Sequence, residues 1–211
     1  FRRAVASAVE ESLAGSRPDL VIFPEYTAVF LALLPWAVEV RGASSVAEAF
    51  SRVREADPRI TSIRQVFLEQ GQAVQQITTE VFGGLARRLG VAIVAGSAFI
   101  GMPATGGGIE LRNRAFVFGR DGMILYTQDK VYLTDFETDV VGLSPGLLSD
   151  ALPFAVAGAR IGLTLCRDTF SSEWEQQMRG VDLWIDIKAN GAAFTPEERE
   201  SFQRALPARL P

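Results

Sequence analysis

The chain reads as an α/β domain built on mixed sheets. Three observations predict it. Short unbroken apolar runs are closed by proline or glycine, stretches with helical apolar spacing lie between them, and two pairs of apolar runs are joined by turn residues.

The first element is a helix. Apolar or small residues recur at Ala4, Val5, Ala8, Val9, Ser12 and Leu13, and Gly15 ends the pattern. Leu20-Val21-Ile22-Phe23, closed by Pro24, has the continuous hydrophobicity of a strand buried on both faces. Helical spacing returns over 44–56 and 72–89. The second of these stretches carries Val74, Ile77, Val81, Leu85 and Leu89 on one face, is interrupted by Gly83-Gly84 and stops at Gly90. Val91 to Ile100 is a second buried strand, and a glycine-rich loop, Gly101 to Gly108, follows.

Ala115–Phe118 and Met123–Thr127 flank the turn Arg120-Asp121-Gly122, and Phe154–Val156 and Ile161–Leu165 flank Gly158. Asp182 to Ile187 is a further strand. Thr195-Pro196-Glu197-Glu198 has the form of a capped helix start, with Thr195 as cap and Glu198 closing the box. Arg17-Pro18-Asp19-Leu20-Val21-Ile22 and Gly180-Val181-Asp182-Leu183-Trp184-Ile185 echo each other, as two similar halves would. No linker or composition break divides residues 1–211, so one domain is expected.

Composition removes whole classes of chemistry. The 211 residues include no histidine and one cysteine. Ser-His-Asp and Cys-His catalysis, HExxH zinc sites, internal disulfides and CxxC redox pairs are therefore excluded. No cofactor or metal is expected. The net charge is −4 and the arginines are scattered, which argues against a nucleic-acid partner. The apolar run Ala28 to Val38 contains Pro35 and falls well short of the roughly 20 residues that span a bilayer, so no membrane partner is expected. No targeting segment is visible and a cytoplasmic location is expected. The chain begins in a helical pattern without methionine, as a segment of a longer protein would. Arginine outnumbers lysine nineteen to two, which makes Lys130 and Lys188 conspicuous.

Ligands of α/β sheets bind beyond the carboxyl ends of the strands. The strand at Leu20 delivers Glu25 there. The one at Met123 delivers Lys130, the one at Ile161 delivers Cys166, Arg167 and Asp168, and the one at Asp182 delivers Lys188 and Asn190. Taken singly, a cysteine after a buried strand is more often a small core residue, and a glutamate there a loop charge. Together they make a complete mechanism without histidine. A free thiol titrates at about 8.5 and needs a base, which Glu25 supplies. Lys130 and the Arg167 N–H, at the start of the helix expected after Cys166, are oxyanion donors.

The ordered set Phe23-Pro24-Glu25, Tyr126…Lys130…Leu133 and Gly162…Cys166-Arg167-Asp168…Glu173 resembles the carbon–nitrogen hydrolase family, the nitrilase superfamily, over about 19–190. Gly96, which the resemblance puts at the end of the central strand, Asn113 before the hairpin and Gly122 in its turn match supporting positions. The resemblance implies a four-layer α-β-β-α sandwich of two mixed sheets, with terminal strands absent from this chain at both ends. It implies a Glu25–Lys130–Cys166 triad that hydrolyses a small amide through a cysteine thioester, releasing ammonia or an amine and a carboxylic acid. It also implies a homo-oligomer. A second glutamate near the lysine fits Glu137 best, with Glu110 and Asp135 as alternatives. Arg167 and Asp168 are placed in support of the oxyanion, and Tyr26 and Asn190 against substrate.

Two departures lie near the expected pocket: Ser171-Ser172 where many amidase-like members have an aromatic-Pro pair, and Ile187-Lys188-Ala189-Asn190 where a Pro-Ser or Pro-Asn segment is common. Arg167-Asp168 after the cysteine, instead of Trp-Glu, argues against nitriles. Two alternatives stay open: a cysteine hydrolase of the isochorismatase or nicotinamidase type, on a three-layer sheet, and a non-catalytic scaffold with an inert, buried Cys166. Gly106-Gly107-Gly108 is expected to be a hairpin loop, Lys188 a solvated strand-end charge, and Phe30, Leu33, Leu34 and Trp36 either an acyl pocket or a core or subunit contact.

Overall fold

The computed structural model describes residues 1–13, 15–189 and 195–205. Helix α1 (Arg2–Leu13) leads to strand β1 (Leu20–Ile22) and a 3-10 helix, Val29–Trp36. Helices α2 (Val46–Ala56), α3 (Ile63–Thr78) and α4 (Gly84–Leu89) follow, the last two joined without a break by a π-helical turn, Thr79–Gly83. Strands β2 (Ala92–Pro103), β3 (Ile109–Phe118) and β4 (Ile124–Asp129) come next. The chain then runs through β5 (Phe154–Val156), β6 (Ala159–Leu165), α5 (Glu173–Gln177), β7 (Leu183–Ile187) and α6 (Pro196–Ala205).

Both sheets are mixed, as expected. In the first, ordered β1-β2-β3-β4, β1 pairs parallel to β2 and the rest is antiparallel. In the second, ordered β5-β6-β7, the hairpin β5–β6 is antiparallel and β7 runs parallel to β6. The echoed segments carry β1 and β7, each an edge strand parallel to its neighbour. Two sheets exclude the three-layer alternative.

Strand alternation sorts the core into three apolar layers. Ile93, Ala95, Phe116 and Phe118 face the helices, where they pack with Val9, Val74, Phe82 and Leu85. Ala92, Val94, Ala115 and Val117, one residue out of phase, face the second sheet and its Phe154, Ile161, Leu163, Leu165, Ile185 and Ile187. On that sheet's outer face Trp174 and Met178 pack with Trp184. The order is thus helix, sheet, sheet, helix.

Several local expectations change. β1 is not buried on both faces: Ile22 is 47% exposed, because the strand lies at the sheet edge. The helix expected over 72–89 begins at Ile63, where Ser62 caps it by accepting the Gln65 N–H. The Gly83-Gly84 pair does not break it. A Cβ at Gly83 would meet the Gly122 carbonyl at 2.5 Å, so glycine lets the helix rest on the β3–β4 turn. The loop expected over 101–108 shrinks to the tip of the β2–β3 hairpin, with Gly106-Gly107-Gly108 in it. The Thr195 box forms as expected: Glu198 N–H donates to Thr195 Oγ1 and Thr195 N–H to a Glu198 carboxylate oxygen. Trp36 is core. No described helix is long and apolar enough to cross a membrane.

Candidate active site

β1, β4 and β6 deliver Glu25, Lys130 and Cys166 into one cavity of about 510 Å³. The Glu25 turn is pinned by an irregularity in β2. Gly96 does not end that strand; it sits in a register shift between Val94 and Ser97, at φ +73°. A side chain there would collide with the Pro24 carbonyl and Thr27. The bulge turns Ser97 toward the crossing chain, so that its Oγ accepts the Tyr26 N–H at 3.0 Å and its carbonyl the Ala28 N–H at 3.2 Å.

Lys130 continues the β3–β4 ladder, its N–H donating to the Asn113 carbonyl at 2.9 Å. The side chain is fully buried between two carboxylates, with Nζ 2.9 Å from Glu25 Oε1 and 2.8 Å from Glu137 Oε2. Asn113 Nδ2 spans the same pair, donating to Glu25 Oε1 at 3.0 Å and Glu137 Oε1 at 2.9 Å. The Ala189 N–H, just past β7, donates to Glu25 Oε2 at 3.1 Å. Tyr26 OH donates to Glu137 Oε1 at 2.9 Å, and Thr134 donates its N–H and hydroxyl to Glu137 Oε2. Glu137 is therefore the second glutamate at the lysine. Glu110 pairs instead with Arg112 on β3, and the almost fully exposed Asp135 with Arg167.

Two buried carboxylates on one ammonium leave a local charge of −1, held in place by amide and hydroxyl donors. Burial raises the Glu25 pKa above its ordinary value, against the opposing pull of Lys130. Burial also works against the Lys130 charge, but Glu25 and Glu137 outweigh it and hold that pKa up. For Glu137 the hydrogen bonds from Lys130 and Thr134 overcome burial and bring the pKa down.

Cys166 follows β6 at φ +51°, and Tyr26 follows Glu25 at φ +61°. Three described non-glycine residues have positive φ, and two of them lie here. Such conformations cost about 1–3 kcal/mol and cluster where a side chain must be aimed. The thiol is half-buried, lining the cavity and not the core. Burial and the Glu25 charge push its pKa up, and Lys130 and Lys188 offset part of that. After it comes a 3-10 turn, Cys166–Phe170, not the α-helix expected from sequence.

Asp168 in that turn is buried and laces the two sheets together. Its Oδ1 accepts the Val131 and Tyr132 N–H groups at 3.1 and 2.7 Å, and its Oδ2 the Leu165 N–H at 3.3 Å. Burial pushes its pKa up to about 8. The Arg167 side chain points away, to the Leu133 carbonyl. Glu173, further on, accepts from Tyr132 OH. The other expected substrate contact, Asn190, lies outside the described residues.

Sequence reasoning missed Thr134 and misjudged Lys188. Lys188 is not a solvated charge: it pairs with Asp186 at 2.5 Å, lies 4.5 Å from the Phe170 ring centroid, and donates to the Cys166 carbonyl at 2.9 Å. A lysine two residues after an aspartate that the strand turns outward was the available signal. The remaining cavity walls are Val29, Phe30, Val46, Ile63, Phe67, Phe99 and Phe136. Among the described residues no group of three or more acidic, cysteine or histidine side chains is placed to hold a metal ion.

Comparisons with known proteins show the family and the fold. Residues 2–192 match the family model described as carbon–nitrogen hydrolase. The chain is 30% identical over 149 residues to omega-amidase NIT2 of Danio rerio, an alignment covering 65% of this chain and 50% of the relative. Among solved structures it superposes on a carbon–nitrogen hydrolase from Helicobacter pylori with a TM-score of 0.61 at 20% identity, covering 99% of this chain and 61% of that one. Nit3 of Saccharomyces cerevisiae, a member of branch 10 of the nitrilase superfamily, gives 0.61 at 17% identity over 97% of this chain and 64% of that one. A mutant of the amidase from Nesterenkonia sp., whose active-site cysteine carries the product of Michael addition of acrylamide, gives 0.56 at 21% identity over 99% and 65%. The chain thus spans half the length of the curated relative and less than two thirds of these structures.

Proposed function

The chain belongs to the carbon–nitrogen hydrolase family, and on that footing we propose that it hydrolyses the C–N bond of a small amide through a thioester on Cys166. The observation that carries this reading is the shared cavity. A buried carboxylate–ammonium pair and the chain's single thiol line one space large enough for a small molecule.

Glu25 takes the proton from Cys166 Sγ as the sulfur attacks the amide carbon. Its raised pKa suits it to that exchange, because a carboxylate titrating nearer neutrality accepts a proton more readily. Two Lys130 protons are engaged by Glu25 and Glu137, and the third meets the carbonyl oxygen as it gains charge. The Arg167 N–H, early in the 3-10 turn, is the second oxyanion donor. The C–N bond then breaks, with Glu25 giving its proton to the leaving nitrogen. Water, deprotonated by Glu25, attacks the thioester and expels the thiolate, which takes the proton back, releasing the carboxylic acid. Glu137, Asn113 and Tyr26 hold Lys130 and Glu25 in register throughout. This reading favours an enzyme over an inert scaffold, since a core cysteine has no use for φ +51° or a cavity.

An ammonia-release screen over amides, with intact mass measured on the quenched mixture, tests the reading. Wild type is expected to carry an acyl adduct of the amide's acid. Glu25→Gln is expected to lose about 10²–10⁴ in rate, and Cys166→Ala to lose both turnover and adduct. Activity should also fall on the acid side of a midpoint above 4.5, the ordinary glutamate value, because protonated Glu25 cannot take the thiol proton. Full turnover by Cys166→Ala overturns the mechanism.

A further inference from the structure

We propose that this cavity takes amides of neutral, apolar carboxylic acids and rejects amides whose acyl chain ends in a second carboxylate. The inference rests on the amide-hydrolysis reading above and adds the substrate class.

Two observations carry it, and the first is charge. Lys130 is the only cation lining the cavity among the described residues, and it already answers two carboxylates. The two other polar side chains on the wall are also committed, since the Tyr26 and Thr134 hydroxyls both bind Glu137. Arg64, next to Ile63, turns its guanidinium to the Gly142 and Ile109 carbonyls. The five residues after Ala189, Asn-Gly-Ala-Ala-Phe, contain no charged side chain. A distal carboxylate would therefore leave water for an apolar wall beside a net negative cluster, with no uncommitted cation among the described lining residues to receive it.

The second observation is the shape of the apolar volume. Phe30, Val46, Ile63 and Phe67 line both this cavity and a neighbouring one of about 470 Å³. The neighbour's polar wall residues are Ser44 and Ser45, and both are used in capping α2. Ser44 binds the Glu48 carboxylate, and Ser45 Oγ accepts the Glu48 N–H. An acyl chain that outgrows the first space meets hydrocarbon on every side and continues toward the second. Phe30, 63% exposed, stands at the join.

Titration calorimetry on Cys166→Ala, which keeps the cavity and removes turnover, tests the preference with 4-methylpentanamide and succinamate. These two molecules have nearly the same shape and differ in charge at the far end. The apolar amide is expected to bind at least tenfold more tightly. From butanamide to pentanamide to hexanamide, affinity should rise roughly fourfold per added methylene. Phe30→Arg, at an exposed position, should narrow the gap between the matched pair at least fivefold. The same order should appear in wild type as protection of Cys166 from iodoacetamide, which does not depend on the variant folding.

Equal or tighter binding of succinamate, or affinity that is flat with chain length, overturns the proposal. Failure of ammonia release with the binding order intact would sink the hydrolytic reading alone. Release with succinamate preferred would sink this proposal alone.

Discussion

Lys130 and Lys188 are the chain's two lysines, and both stand just past a strand in the same site, yet their surroundings differ in kind. Lys130 is sealed between Glu25 and Glu137, with Asn113 bridging the same carboxylates behind it. Lys188 pairs with Asp186, has an aromatic ring beside it and a backbone carbonyl in reach, and its side chain keeps 19% of its exposure. The first ammonium is thus part of a closed network in which every neighbour depends on it. The second is a local brace on the Cys166 turn. One residue type supplies two functions because burial, and not formal charge, sets how strongly a charge is felt.

Removing each charge separates these cases. Lys130→Met leaves two carboxylates buried without a counter-charge, which typically costs about 3–5 kcal/mol. Denaturant unfolding should show that loss, and amide turnover should fall below detection. Retention of wild-type stability would mean that the cluster is more hydrated than its burial indicates.

Lys188→Met is expected to be milder, about 1–2 kcal/mol in the same unfolding measurement, because its bonds are lost at a partly solvated site. Its distinguishing effect is on the thiol. Lys188 offsets part of the burial-driven rise in the Cys166 pKa, so the midpoint of iodoacetamide alkylation against pH should move up in the variant. An unchanged midpoint would reduce Lys188 to a packing role.

A separate, pH-dependent effect concerns Asp168, which ties the Lys130 strand end to the Cys166 turn. Its folded pKa of about 8 lies above its ordinary 3.8, so between those values the folded state holds the extra proton. That contribution to stability is fully present below 3.8 and is lost as pH rises toward 8. Asp168→Asn, which keeps the Val131 and Tyr132 bonds through its amide oxygen, should flatten the pH dependence of Tm across this window. A slope as steep as that of wild type would remove Asp168 as its source.

Much of this arrangement was legible because strands announce themselves locally. An apolar run closed by Pro24, the turn Arg120-Asp121-Gly122, and a lone thiol after Leu165 mark strand ends without any knowledge of neighbours. Long-range geometry was not legible. Gly96 looks like a terminator in sequence; only the Pro24 carbonyl packed against it, from β1, makes it a bulge inside β2. Ile22 belongs to a buried-strand pattern, yet it lies exposed because its strand is an edge. Thr134 carries no signal of its own, since its value lies in meeting Glu137, three residues on, through a turn that the sequence does not specify.

The sequence by itself determined the chemical inventory: no histidine, one thiol, two lysines, and carboxylates at strand ends. It also marked Val91 to Ile100 as a buried strand, whose two faces the structure divides, Ala92 and Val94 to the second sheet and Ile93 and Ala95 to the helices. The tertiary structure alone decided which glutamate joins Lys130, that Lys188 braces the Cys166 turn, and that Lys130 is the one cation among the described residues of a largely apolar cavity wall. Residue identity and short-range spacing are local properties. Burial and partnership depend on segments 100 or more residues apart, such as Glu25 and Lys130, which only packing brings together.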